Sequence, residues 1–531
     1  MVASFIVIKN VIRHCKTIHQ VHQVHAHAVT SGSLSLHPSL FLSSILHAFT
    51  TLLAAAAANP NTSHPPPSLL LSYALSVFNL IPNPSSFSYN TIIRAHTSLL
   101  LSPFSALAFF SRMRRLSVPP DSHTFPFALK ASAHLRSLPL AQALHSQALK
   151  FGFCADLFLR NSLIYSYSVS GSLMEARRVF HDGYPRDVDL VSYNTLINAL
   201  VKARETGAAR QLFDAMPVRD ALSWGTLLSG YAQNNQCREA LQIFNQMLTS
   251  TYVRPDNVAL VSALSACAQL GELQQGKTIH DFIKRNSTHI DSFLCTALVD
   301  LYAKCGSIDT AKEIFESTPD RNLFTWNALL VGLALHGHGR LLLDYFSRMI
   351  KARVGPDGVT FLGVLIGCSH AGLVCEARRI FDEMEAVYGV PRELKHYGCM
   401  ADLLGRAGLI EVAVEMIEGM PMKGDLFVWG GLLGGCRIHG NVEIAEKVAE
   451  HVMAMNPEDG GVYSVMANVY ANAERWDDVL RMRRWLGARR GVKKNTGGSL
   501  IRLNGIAHEF VAGDGSHPET GAQIGGREKP R

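Results

Sequence analysis

Ser223-Trp224-Gly225 opens a helical run that continues to Glu239-Ala240-Leu241-Gln242-Ile243-Phe244 and closes at Pro255-Asp256, and the same phrase recurs along the chain. Its opening returns as Ser88-Tyr89-Asn90, Ser192-Tyr193-Asn194 and Thr325-Trp326-Asn327. Its second half returns as Glu175-Ala176-Arg177-Arg178-Val179-Phe180 and Glu376-Ala377-Arg378-Arg379-Ile380-Phe381. From Ser86 onward, units end at Asp121, Asp156, Asp187, Asp220, Asp256, Asp291, Asn322, Asp357, Glu393 and Asp425. Their lengths cycle at about 35, 35 and 31 residues, and Val188-Asp189 stands as an insertion between two short units. A fixed period of this size marks a repeat array, in which each unit buries its apolar face only against its neighbours.

Each unit has the pattern of a helix pair. Ser88, Ser192, Ser223 and Thr325 are expected as N-caps, because a hydroxyl accepts from the free amides of a first turn. Apolar residues at i, i+3 and i+4 then predict an amphipathic first helix. Gly171, Gly306, Gly372 and Gly408 each stand five residues before an alanine, where a left-handed helix end calls for glycine. The second helix carries Ala-x-x-x-Phe: Ala106/Phe110, Ala176/Phe180, Ala209/Phe213, Ala240/Phe244, Ala311/Phe315 and Ala377/Phe381. A small residue and an aromatic one turn later suit close helix packing, so these positions are expected in the core.

Composition narrows the function. The chain has 531 residues, 47% of them hydrophobic, and a formal net charge of +7, which a long array can concentrate on one face to meet a polyanion. Its ten cysteines form no Cys-x-x-Cys, and the His-x-Glu at His517-Pro518-Glu519 has none to accompany it, so neither a disulfide framework nor a zinc site is expected. No nucleophile–base constellation is visible, which argues against an enzyme and against a small-molecule substrate or cofactor. Before Asp121 there is no acid, while Lys9, Arg13, Lys16, Arg94, Arg112, Arg114 and Arg115 are present. A basic, Ser-rich, acid-free beginning has the character of an organelle transit peptide. The run Leu40 to Ala58 has the length of a membrane span, but Ser43, Ser44, His47, Thr50 and Thr51 interrupt it. The insert Ala54 to Pro67, ending in Pro65-Pro66-Pro67, is expected as a surface loop within a partial unit.

These residues resemble the plant pentatricopeptide-repeat (PPR) proteins of the subgroup that mixes P, L and S repeats. The Trp-x2-Leu-Gly-x2-Tyr signature of tetratricopeptide repeats is not seen. The resemblance covers about Leu40 to Thr520 and implies an all-α, right-handed α-solenoid superhelix whose first helices line a groove and read single-stranded RNA one base per unit. The organisation it implies is a transit peptide with a degenerate repeat over 1–39, a partial repeat over 40–85, ten units over 86–425, an E region over 426–494, an E+ segment over 495–520 and a disordered tail over 521–531.

In this family the fifth and last residues of a unit specify the base. Carried over, the pairs are Asn90/Asp121, Asn161/Asp187, Asn194/Asp220, Thr296/Asn322 and Asn327/Asp357. The resemblance assigns uracil to the four Asn/Asp units and adenine to Thr296/Asn322. An isolated Asn is a helix-start residue and an isolated Asp a turn or cap, but five pairs in phase favour base readout. Pro126, Gly225, Val261, Leu362 and Gly398 at the fifth position depart from readable combinations. Asn456-Pro457-Glu458-Asp459 and Tyr470-Ala471-Asn472-Ala473-Glu474-Arg475-Trp476 carry the E resemblance, with Trp429, Trp476 and Trp485 expected in packing. The basic run Arg481-Met482-Arg483-Arg484, with Arg489-Arg490 and Lys493-Lys494, is either a phosphate contact or a solvated face. Longer relatives add a DYW cytidine-deaminase domain, whose zinc motif is not found in this sequence.

The function implied is a site-recognition factor for cytidine-to-uridine editing of organellar transcripts, with a DYW-type deaminase and other editing factors acting in trans. The mitochondrion is favoured over the chloroplast, and no membrane or metal partner is expected. The alternatives are an RNA stabilisation, splicing or processing factor and, in another class, a protein-binding solenoid scaffold.

Overall fold

A computed structural model describes residues 11–12, 14–32, 38–57, 67–98, 102–182, 189–250, 253–286, 290–456, 460–488, 498–503 and 506–511. Asp187, the end of the transit-like segment, most of the Pro-rich insert and the tail lie outside the described residues. The chain forms two compact units, Met1–Leu270 and Gly271–Arg531. Each is a tandem run of antiparallel helix pairs, such as Leu190–Lys202 with Thr206–Asp214 in the first and Leu323–Leu335 with Gly339–Lys351 in the second. The described residues add one expectation-breaking element to a chain read as all-helical. Gly498–Leu503 and Ile506–Val511, within the E+ segment, pair antiparallel with Gly498 opposite Val511.

The Ala-x-x-x-Phe positions form the spine. All six alanines and all six phenylalanines are buried. Five of the six rings meet an aromatic on the next unit's first helix edge to face: Phe213 on Trp224 at 4.8 Å, Phe315 on Trp326 at 4.7 Å, Phe180 on Tyr193 and Phe381 on Tyr397 at 5.1 Å, and Phe110 on Phe125 at 5.7 Å. Such geometry sets ring hydrogens against a π face and stabilises beyond area burial alone. In two units histidine replaces the phenylalanine. His145 and His280 stand one turn after Ala141 and Gly276, and each ring bonds through Nδ1 to a tyrosine hydroxyl of the next unit, Tyr167 and Tyr302, at 2.9 Å.

A second recurring device closes the short units. Arg219 donates from Nε to the Phe213 carbonyl at 3.0 Å and from a terminal nitrogen to the Asp214 carbonyl at 2.8 Å. Arg321 repeats this on Phe315 and Glu316, and each guanidinium lies 4.9 Å from the corresponding phenylalanine ring centroid. The fork satisfies carbonyls that a helix end leaves open, while its plane covers the ring.

Capping differs from expectation. The N-caps are Asp189, Asp220, Asn322 and Asp357, whose side chains accept from the amides of Ser192, Ser223, Thr325 and Thr360. Ser192, Ser223 and Thr325 stand at the third helical position, as does Ser88 in Ser86–Ser98. A carboxylate has no competing proton and carries the charge that a helix N-terminus favours, so the acid takes the cap. The glycines at helix ends behave as expected, with φ of 84° at Gly171 and 79° at Gly306.

Among the described residues no helix is long and apolar enough to cross a membrane. The apolar run lies in Pro38–Ala57, which buries Phe41, Leu42, Ile45, Leu46 and Phe49. In the E region Trp429 stacks on His451 at 4.6 Å and Trp485 lies parallel to Tyr463 at 6.2 Å. Trp476, expected in packing, is 62% exposed because it opens the helix Trp476–Ala488 at its N-terminal end. Arg481, Arg483 and Arg484 lie on the exposed side of that helix, and Arg481 pairs with Asp478 at 2.5 Å.

Candidate nucleic-acid interface

The fifth residue of a unit lies near the start of its first helix, and in the polar units the residue that closes the unit stands close by. Asn90 therefore donates from Nδ2 to Asp121 Oδ1 at 2.6 Å, and Asn327 to Asp357 Oδ1 at 3.1 Å. Asn194 hydrogen-bonds to Asp220 in the same way. Four of the five expected pairs thus have their expected members side by side or one group apart. The fourth, Thr296 and Asn322, is joined through Thr325: its hydroxyl is 2.8 Å from that of Thr296 and donates to Asn322 Oδ1 at 3.0 Å.

For the remaining pair, Asp187 lies outside the described residues. Asn161 donates to both carboxylate oxygens of Asp189, at 3.4 and 3.2 Å. Asp189 also caps Leu190–Lys202.

Burial pushes the Asp220 carboxyl up, but the hydrogen bonds from Ser223 and Asn194 outweigh it and hold the group below its ordinary value. Asp357 is held low in the same manner by Thr360 and Asn327. Both are carboxylates at neutral pH, acceptors only, which obliges the Asn amide to face them with nitrogen. Asn90 Oδ1 and Asn194 Oδ1 are buried and accept no hydrogen bond.

Sequence reasoning missed a second column. Three residues before eight of the ten fifth positions stands an exposed apolar side chain: Phe87, Phe158, Val191, Leu222, Val258, Phe293, Phe324 and Val359; His123 and Lys395 stand there in the other two units. Phe293 is 68% and Phe324 65% exposed, whereas Asn327 is only 6% exposed. The i, i+3 spacing sets both on one helix face. Bulky apolar residues repeatedly left in water beside a polar pair make a surface for flat rings. The signal in the sequence was their phase with Asn, hidden because apolar residues in a helical pattern are first assigned to the core. At the departing units the partner position persists without a reader: a Cβ on Gly225 would stand 3.8 Å from Asp256 Oδ1. Gly398 has no room for one, since a Cβ there would meet the Phe427 ring at 2.1 Å.

The geometry defines a helical-repeat protein in which five of the ten units carry a polar side chain at the fifth position. Family models agree: the PPR repeat matches residues 159–182, 191–220, 222–251, 293–323, 324–354, 359–386 and 395–425, and the E motif matches 439–502. The chain is 53% identical over 495 residues to the Arabidopsis thaliana pentatricopeptide repeat-containing protein At5g61800, covering 92% of this chain and 97% of that one. It is 37% identical to At2g22410, mitochondrial, of the same plant, covering 96% of this chain and 87% of that protein. The solved pentatricopeptide repeat protein PPR10 from maize matches with a TM-score of 0.55 at 18% identity, over 92% of this chain and 84% of that one, a likeness of fold. The chain belongs to the pentatricopeptide-repeat family, with an E motif after its repeats. Helix pairs at 86–121, 122–156 and 257–291 lie outside the matched ranges yet have the same build.

Proposed function

We propose that the chain binds single-stranded RNA of a plant organelle in a sequence-specific way and marks sites for cytidine-to-uridine editing. The observation that carries the RNA reading is the repeated pairing of a buried Asn–Asp or Thr–Asn junction with an exposed apolar residue one turn away. Unpaired bases offer both a face to stack on such a residue and a Watson–Crick edge to meet an amide, as a duplex does not. Uracil presents a donor at N3 and an acceptor at O4, which the free proton and lone pair of an Asn amide match. The E motif supports the editing role, with a deaminase recruited in trans and the chain itself supplying recognition only. Curated relatives named chloroplastic and mitochondrial support an organelle, and the acid-free beginning of the sequence favours the mitochondrion.

The test is sequencing of organellar transcripts from loss-of-function plants. The proposal expects at least one cytidine to lose its editing and to regain it on complementation. Normal editing at every site, together with altered transcript ends or splicing, would replace it with the processing role.

A further inference from the structure

The third residue of each unit divides into two classes, and the division follows the unit before it. Where the preceding fifth residue is polar, the third residue is a hydroxyl: Asn90 is followed by Thr124, Asn161 by Ser192, Asn194 by Ser223, Thr296 by Thr325 and Asn327 by Thr360. Where the preceding fifth residue is Pro126, Gly225, Val261, Leu362 or Gly398, the third residue is Leu159, Ala259, Leu294, His396 or Val428. None of those five carries a hydroxyl.

Helix capping does not account for this by itself, although the hydroxyls of Thr124, Ser223 and Thr360 also accept from the backbone amides of Asp121, Asp220 and Asp357. Asp156, Asp256, Asp291 and Asp425 cap their helices through the amides of Leu159, Ala259, Leu294 and Val428, with no hydroxyl present. Those four side chains are buried, as are all five hydroxyls, so the slot accepts an apolar group readily. A fully buried hydroxyl is retained where it has acceptors, and these have them.

The acceptors are the reading pair. Thr360 Oγ1 lies 2.6 Å from Asn327 Oδ1 and 2.9 Å from Asp357 Oδ1, so its one proton joins them. Ser192 hydrogen-bonds to Asn161 Oδ1 and, at 2.8 Å, to Asp189 Oδ1. Ser223 and Thr124 donate to Asp220 at 2.6 Å and Asp121 at 3.1 Å. Thr325 alone links Thr296 to Asn322. A further instance joins the partial repeat to the first unit: Ser43 and Ser88 bond hydroxyl to hydroxyl at 2.7 Å.

We infer that the Ser or Thr at the third position of the following unit is a positioning residue that sets which pyrimidine the fifth residue accepts. An Asn amide turned over about its last torsion exchanges donor and acceptor, which changes a match for uracil into a match for cytosine. The carboxylate draws Nδ2 to one side, and at Asn161 and Asn327 the hydroxyl donating to Oδ1 holds the other, whereas at Asn90 and Asn194 the hydroxyl fixes the carboxylate alone. The inference rests on the base-reading role proposed above, and its test separates the two.

The experiment uses the purified full chain and a randomised single-stranded RNA pool, followed by affinities for RNAs varied at single positions. Asn327→Ala locates the position read by that unit, as the one whose preference it erases. Thr360→Val is expected to lower uracil-over-cytosine discrimination there by about threefold to tenfold, the worth of one hydrogen bond, while purine rejection and overall affinity hold. Thr360→Ser should restore it. Because Thr360→Val also loosens the cap, melting temperatures of both variants accompany the affinities, and a gain arm adds Gly225→Asn with and without Ala259→Ser. Only the double variant should acquire full pyrimidine discrimination at the adjoining position. Unchanged discrimination in Thr360→Val, or equal gain in the single and double variants, would overturn the inference and leave base reading intact. An Asn327→Ala protein that binds the same RNAs as the wild type would overturn base reading itself.

Discussion

Asn327 donates to Asp357 across 3.1 Å, and the same carboxylate accepts the amide of Thr360 at 2.9 Å to cap the helix Gly358–Ala371. One oxygen thus serves the fold and the reading position together. A residue doing both is hard to replace without moving both, which governs how variants in this chain must be read. Asp357→Ala should cost about 1 kcal/mol of stability through the lost cap as well as the base contact. Thermal melts must therefore accompany any binding measurement on it.

Arg321 should be the residue whose loss most weakens a short unit without touching the RNA face. It donates to two helix-end carbonyls and covers Phe315. Arg321→Met, which keeps the stem, should destabilise by about 1–2 kcal/mol, and Arg321→Lys should recover little because a point charge has no fork. Chemical denaturation gives the comparison, and full recovery by lysine would mean that charge alone matters.

The repeat period, the Ala/Phe spine and the glycine turns were legible in the sequence because each is a local rule repeated many times. The roles of Asp189 and Ser192 were not, since acid and hydroxyl are both good caps and only the geometry chooses between them. The exposed Phe87, Phe293 and Phe324 were hidden for the opposite reason: their chemistry is that of core residues. His145 and His280 broke the aromatic pattern, and their tyrosine partners 22 residues on could not be anticipated from spacing. The hairpin at 498–511 carried too short a pattern to be read as strands.

Those histidines give the fold an acid limit. Burial lowers His145 and His280 below the ordinary imidazole value, with Lys284 adding to the effect at His280. A group with a depressed folded pKa adds stability above its unfolded value of about 6.5 and loses it as pH falls through the folded one. The melting temperature should therefore drop as pH is lowered from 7.5 to about 5. His145→Phe, which restores the residue of the other units, should flatten part of that slope. An unchanged slope would place the acid sensitivity elsewhere.

Two helices meet at Gly405 and Gly435 backbone to backbone. A Cβ on Gly435 would fall 2.4 Å from the Gly405 Cα, and no side chain can yield there. Gly435→Ala should destabilise the helices Leu394–Arg406 and Leu426–His439 by about 1–3 kcal/mol, seen as a lower melting temperature and faster amide exchange in both. Wild-type exchange in the variant would mean that the helices separate at little cost.

The most direct measurement of base reading is selection from a random RNA pool by the wild type and by the double variant Asn327→Thr, Asp357→Asn. That variant copies the Thr296/Asn322 pair and keeps the Thr360 hydroxyl beside it. The account predicts that both proteins select one motif, differing at a single position where uracil gives way to adenine. Identical motifs, or a loss of affinity with no change of base, would contradict it.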